Sequence, residues 1–139
     1  MPPSLRLNLL HDGQVTCLAE TLVALPAFSG KLDDLCRELD VTALSTWFDT
    51  TDADADLDEL DLLIDDGAHL ASHGTWREAS GLLATLQALH AELAARPRRF
   101  GLFSNKYALV QDELARGIAA LQAAAVSGTA LQAHLLVLR

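Results

Sequence analysis

The sequence is poor in the residues and runs on which most secreted, membrane and catalytic proteins depend. Its 139 residues include only two cysteines, four prolines and seven aromatic side chains (two Trp, one Tyr and four Phe). No run approaches the roughly 18 uninterrupted apolar residues that a membrane-spanning helix needs. The start, Met1 to Ser4, lacks the basic residues and long apolar stretch of a secretion signal. We therefore expect a cytoplasmic protein.

The motifs of catalysis and cofactor binding are also missing. There is no Gly-x-Ser-x-Gly and no phosphate-binding glycine loop, and the eight glycines are scattered along the chain. Cys17 and Cys36 each lie in an apolar helical pattern, so we interpret both as buried free thiols. We predict that the chain is not an enzyme and that it holds no cofactor.

The charge is strongly one-sided. Nineteen acids face ten Lys and Arg residues, which gives a net charge of −9. Repulsion from phosphate argues against direct binding of nucleic acid or of an anionic membrane. The same charge favours a protein partner with a basic surface.

Half of the residues are apolar, with Leu and Ala far ahead of the aromatics, so the composition is typical of a packed globular domain. We predict a single domain over residues 1–139 that is mainly α, with about five helices. Alternation over Leu5 to Leu9 predicts a first strand, and helical spacing from Val15 to Leu25 predicts a first helix. A second helix follows Ser29.

The C-terminal half is predicted to form two long antiparallel helices, Thr75 to Arg96 and Asn105 to Ser127. Thr75 and Glu78 have the spacing of a capping box, and Pro97 ends the first of these helices. The connection from Phe100 to Phe103 is expected to lie under the core. The apolar tail from 131 to 138 is either a strand that forms a minimal two-stranded sheet with the first segment, which we prefer, or a final helical turn.

The most unusual stretch runs from Asp49 to Asp66, with nine acids and no base. Its first part, about 49–56, is predicted to be an exposed loop, and a helix is expected from near Asp56 to near Gly74. The alternating aspartates do not fit a helix-loop-helix calcium site, which needs Gly at its sixth and Glu at its twelfth position. Counting from Asp52 gives Leu57 and Leu63 instead, so we predict no metal site.

One other spacing is typical of metal ligands. Asp65, His69 and His73 are each one helical turn apart, but the Glu of a His-Glu-x-x-His helix is absent. We interpret the two histidines as a surface pair at a helix end.

An aromatic pair directly precedes the acidic stretch, an arrangement that favours a binding epitope in which rings supply burial and carboxylates supply steering. The alternative is that both rings belong to the core and the acids form a solvated face. The predicted partner-binding residues are Trp47, Phe48, Asp49, Asp52, Asp54, Asp56, Asp58, Glu59 and Asp61.

In size, acidity, predicted helicity and lack of a catalytic motif, the chain resembles the immunity proteins that bacteria keep against secreted toxins. The resemblance is one of class and involves no shared motif. It implies an inhibitor that neutralises a cognate toxin or effector by direct binding. The alternatives are a cytosolic chaperone or adaptor for an exported protein and, third, an enzyme with a carboxylate-lined pocket.

Overall fold

The computed structural model describes residues 4–11, 14–18, 20–49, 75–125 and 131–138. Within these ranges the chain forms a five-stranded mixed sheet, four α-helices and one 3₁₀ turn. In chain order the elements are β1 (Ser4–His11), β2 (Gln14–Cys17), α1 (Ala24–Ala27), α2 (Ser29–Glu38), the 3₁₀ turn (Leu44–Trp47), β3 (Phe48–Asp49), β4 (Arg77–Glu78), α3 (Ala79–Ala95), α4 (Tyr107–Ala125) and β5 (Gln132–Leu138).

The sheet is built around the two ends of the chain. β1 lies between β2 and β5 and is antiparallel to both. The other edge of β5 pairs with β3, in parallel, and with β4, antiparallel. The C-terminal strand is therefore the point where the first segment and the segments on either side of the acidic stretch meet.

Alternation along β1 and β5 sorts their side chains onto two faces. Leu5, Leu7 and Leu9 are buried on one face, and their partners across the ladder include Leu135 and Ala133. These residues belong to one core cluster with the helices. The leucine stripe of α3 predicted from the sequence is buried in that core: Leu82, Leu86, Leu89 and Leu93.

Trp47 enters the same core where α3 leaves room for it. A Cβ on Gly81 would lie only 2.9 Å from Cζ2 of the Trp47 ring. The indole therefore occupies the space that a side chain at position 81 would need. Trp47 is 5% exposed. The alternative that placed this ring in the core is the arrangement found.

A buried carboxylate fixes the start of α1. Glu113 of α4 is buried, and its two oxygens accept hydrogen bonds from the backbone N–H groups of Val23, Ala24 and Leu25 at 3.0–3.1 Å. The first N–H groups of a helix have no partner within the helix, so this carboxylate supplies one. It ties α1 to α4.

The mainly α fold class and its description as helical are wrong, because the sheet has five strands in the described ranges instead of at most two. β2 occupies the start of the predicted first helix, where Leu18 N–H donates to Leu7 O at 3.0 Å. Pairing with β1 outweighs the helical spacing of Val15 and Leu18. The run of apolar positions was too short to distinguish a helix from a strand.

The start of α3 also differs from the prediction. Arg77 and Glu78 pair with β5, and Glu78 precedes the helix without any side-chain cap. The N–H of Ala79 donates instead to Leu131 O at 3.0 Å. The capping box from Thr75 is therefore wrong, because the chain adds to a sheet edge before it turns into the helix.

The two thiols have different surroundings. Cys36 is buried, and burial raises the pKa of its thiol, with Asp33 adding to the rise. Cys17 is exposed on β2, so the prediction that both are buried is wrong for Cys17. Both thiols are free.

Among the residues that the structure describes, no helix is both long and apolar enough to cross a bilayer.

Candidate functional site

The predicted binding residues divide between the core and the part of the chain that is not described. Trp47 is buried, Phe48 is half-buried against the core, and Asp49 is only 2% exposed. Six of the predicted residues lie outside the described ranges: Asp52, Asp54, Asp56, Asp58, Glu59 and Asp61. Their assignment to a binding surface stays a prediction.

Asp49 belongs to a polar group that we call the His134 cluster, in which the buried Asp49, His134 and Asn8 meet the exposed Thr75 and the half-buried Trp76. His134 Nδ1 lies 3.0 Å from Asp49 Oδ2 and 3.2 Å from Thr75 O. Asn8 Nδ2 lies 3.0 Å from His134 Nε2. The Trp76 ring stacks on the imidazole with centroids 3.8 Å apart and planes 12° apart. The N–H of Thr75 donates to Asp49 Oδ2.

Strand register brings this cluster together. Asn8 and His134 are direct partners in the β1–β5 ladder, and they point to the face opposite the leucine core. Asp49 pairs with Leu136, the next residue of β5 on that same face. Three strands therefore place one side chain each at a single point.

The surroundings of His134 favour its neutral form. Burial lowers the pKa of His134, and the nearby Asp49 carboxylate and Thr75 carbonyl only partly oppose the shift. Both neighbours of Nδ1 are acceptors, so the neutral ring carries its proton there and Nε2 accepts from Asn8. Asn8 Oδ1 has no partner among the described residues.

Both ring nitrogens of His134 are thus engaged, and the side chains of His134 and Asn8 are each 0% exposed. In this arrangement neither ring nitrogen is available to a substrate, and the cluster instead holds two parts of the chain together. It joins Asp49, the last described residue before 50–74, to Thr75, the first described residue after it. The cluster is not visible in the sequence, because Asn8 and His134 are 126 positions apart and belong to no motif.

A second candidate surface lies at the opposite end of α3, in residues 96–106, which we call the α3–α4 loop. Phe100 is buried and its ring lies 5.3 Å from that of Phe28, centroid to centroid. Leu102 and Phe103 are instead 89% and 101% exposed. The prediction that 100–103 lies under the core is therefore correct for Phe100 and wrong for the loop's apex.

Internal hydrogen bonds hold this loop in shape. Asn105 Oδ1 accepts from the N–H groups of Phe100 and Tyr107, both at 3.0 Å. Lys106 N–H donates to Phe100 O at 2.6 Å. Gly101 has φ +101°, and a Cβ there would lie 2.5 Å from Ser104 O, so glycine is required.

Within the described ranges, no group of three or more His, Cys, Asp or Glu side chains is placed to hold a metal ion. Asp65, His69 and His73 lie outside those ranges.

Comparison with known proteins identified no relative: no family model, no curated protein and no solved structure matches this chain.

Proposed function

We propose that the chain is a protein-binding inhibitor of the immunity type, which neutralises a toxin or effector through a basic surface on that partner. The observation that supports this most is the His134 cluster, because it ties Asp49 to Thr75 across the gap between the described ranges. A binding segment whose two ends are fixed loses less conformational freedom on association than one with free ends.

The distribution of charge supports the same proposal. Nine of the 19 acids and none of the bases lie between Asp49 and Asp66, which leaves 19 − 9 = 10 acids against ten bases elsewhere. The whole net charge of −9 therefore arises in this stretch. A dense patch of one sign on an otherwise balanced chain accelerates encounter with a surface of the opposite sign.

Trp47 has a different place in this proposal from the one that the sequence predicted. Because its ring is in the core, truncating it to Ala should lower the free energy of unfolding, and any change in dissociation rate would be confounded by that loss. Phe48 is half-buried and is the member of the predicted aromatic pair that a partner can contact in the folded state.

The first experiment identifies the partner. The product of the gene beside this one is co-expressed with the chain, and both co-purification and inhibition of that product's activity are measured. Failure of the neighbouring product to bind, together with no inhibition, would remove the support for an immunity-type role.

The second experiment measures association kinetics with that partner at low and high salt. Neutralising Asp52, Asp54, Asp56 and Asp58 to Asn should slow association and flatten its salt dependence. The control neutralises Glu20 and Asp112, which are exposed acids outside the stretch, and should leave the kinetics close to wild type. An Asn variant that associates at the wild-type rate in low salt would show that the stretch is only a solvated face.

A further inference from the structure

The apex of the α3–α4 loop exposes two adjacent large apolar side chains. Leu102 and Phe103 are nearly or fully accessible, whereas the third large apolar side chain that is exposed in the described ranges, Val23, is 48% exposed. The internal bonds of the loop and the left-handed Gly101 fix the backbone that carries the pair. The side chains are therefore presented to solvent by a rigid support and are not there through fraying.

The carbonyls around the apex already have donors inside the protein. Arg99 Nε donates to Gly101 O at 3.0 Å and Arg99 Nη2 donates to Leu102 O at 3.2 Å. Lys31 Nζ donates to Arg99 O, and Lys106 N–H donates to Phe100 O. Four consecutive carbonyls are thus satisfied. These four carbonyls therefore keep their hydrogen bonds when the loop leaves bulk water for surroundings in which an unpaired carbonyl would be costly.

The cations of the chain are concentrated at this same place. Five of the ten Lys and Arg residues lie in the loop or hydrogen-bond to it: Lys31, Arg96, Arg98, Arg99 and Lys106. Two of the five are paired with carboxylates, Arg98 with Glu38 at 3.2 Å and Arg96 with Glu92 at 3.5 Å. Among the described residues, three positive charges around the apex have no carboxylate partner.

Asp49, where the acidic stretch begins, lies too far from the loop to offset this local excess. α3 has 17 residues, which corresponds to a length of about 25 Å. The loop follows its C-terminal end, whereas Asp49 and Thr75 lie at its N-terminal end. Exposed charges are screened over about 8 Å at physiological ionic strength, so the two ends act on their surroundings separately.

We propose that the α3–α4 loop docks on an anionic lipid surface, with Leu102 and Phe103 inserted among the head groups and the cations behind them at the level of the phosphates. A protein pocket is the other surface that could receive an apolar apex. Lipid fits better because the apolar apex, together with the cations that have no carboxylate partner among the described residues, matches the two layers of an anionic membrane. This proposal is independent of the proposed inhibitory role, which uses the other end of α3.

The test is sedimentation of the purified chain with two kinds of vesicle, phosphatidylcholine alone and phosphatidylcholine with roughly one third phosphatidylglycerol. The wild type should bind the second kind, and added salt should release it. Leu102→Ser and Phe103→Ser should each lower the partition coefficient about tenfold or more, and Lys106→Gln should lower it about fivefold. Val23→Ser, the matched control, removes an exposed apolar side chain elsewhere and should bind as the wild type does.

These side chains are exposed, so all four variants should melt at the wild-type temperature, and unfolding does not confuse the comparison. Wild-type protein that stays in the supernatant with anionic vesicles at low salt would overturn the proposal. Equal binding to phosphatidylcholine alone, or wild-type binding by Phe103→Ser, would overturn it as well. Loss of a protein partner by Phe103→Ser without any vesicle binding would reassign the loop to a protein interface.

Discussion

The hydrogen bonds of Glu113 allow a sharp prediction about what holds α1 in place. This carboxylate is buried at 1% exposure, and three consecutive backbone N–H groups, those of Val23, Ala24 and Leu25, donate to its two oxygens. Replacing Glu113 with Ala would remove every one of those acceptors and leave the N–H groups facing an apolar cavity.

The magnitude follows from the number of bonds. A hydrogen bond to a charged group contributes about 1.5–3 kcal/mol, and each buried donor left without a partner costs about 1–3 kcal/mol. Because three donors lose their acceptor, we expect Glu113→Ala to lower the free energy of unfolding by about 3 kcal/mol or more. Glu113→Gln keeps one acceptor oxygen but places an NH₂ group against Val23 N–H or Leu25 N–H, so a loss of about 1–3 kcal/mol is expected.

Urea unfolding followed by circular dichroism measures both variants. The midpoint should fall in the order wild type, Gln, Ala while the slope stays constant, because the same surface is exposed on unfolding. Asp112→Asn is the control: this neighbouring carboxylate is exposed and bonds Arg116, so its loss should change stability by less than about 1 kcal/mol. Glu113 variants that unfold at the wild-type midpoint would show that the start of α1 does not depend on this carboxylate.

Three further predictions concern packing, protonation and thiol exposure. Gly81→Ala would place a Cβ 2.9 Å from a buried indole ring and should lower stability by about 1–3 kcal/mol, whereas Gly30→Ala meets nothing within 4 Å and should be neutral or stabilising in the same melts. Burial holds the pKa of His134 below its ordinary 6.5, so its contribution to stability is complete above that pH and is lost as the pH falls toward the lowered pKa of the folded state. His134→Gln should therefore reduce the decline in the free energy of unfolding between about pH 7 and pH 5. Wild-type and variant curves that fall in parallel with pH would refute this. A thiol reagent should label Cys17 quickly in the native state and Cys36 only after unfolding, and equal rates would contradict the different burial of the two.

Periodicity identified the parts of the fold whose pattern is long enough to be unambiguous. Leu5, Leu7 and Leu9 alternate over a full strand, and all three are buried on one face. The leucines of α3 repeat over several turns, and they too are buried. In both cases the number of matching positions exceeds what a competing pattern could supply.

Short elements and long-range pairings could not be read in this way. β3 and β4 have two residues each, and they exist because the edge of β5 that β1 leaves open needs partners, which is a property of the assembled sheet. β2 exists because β1 offers it an edge, although the spacing of Val15 and Leu18 alone favours a helix. Fold class was wrong for this reason: the interactions that decide it join residues far apart in the sequence.

The candidate site was also predictable from the sequence only in part. The acidic stretch is visible in the sequence as a run of charge, but the depth of Trp47 depends on the missing side chain at Gly81, more than 30 positions away. Asn8 and His134 are single polar residues in apolar strands, a signal that indicates a buried hydrogen bond only once the register is known. The same is true of Phe103, because a fully exposed ring and a buried one look alike in a sequence.

The net charge of −9 is a sum over the whole chain, whereas Asp49, where the acidic stretch begins, and the α3–α4 loop lie at opposite ends of α3. The sequence alone favoured a basic partner and disfavoured an anionic membrane, and both inferences assumed that the charge acts as a whole. Screening over about 8 Å removes that assumption when the two ends are about 25 Å apart. Attraction of a basic protein by the stretch that begins at Asp49 and attraction of anionic lipid by the loop at Phe103 are then compatible in one chain. An electrostatic prediction for this protein therefore has to be made for each end of α3 separately.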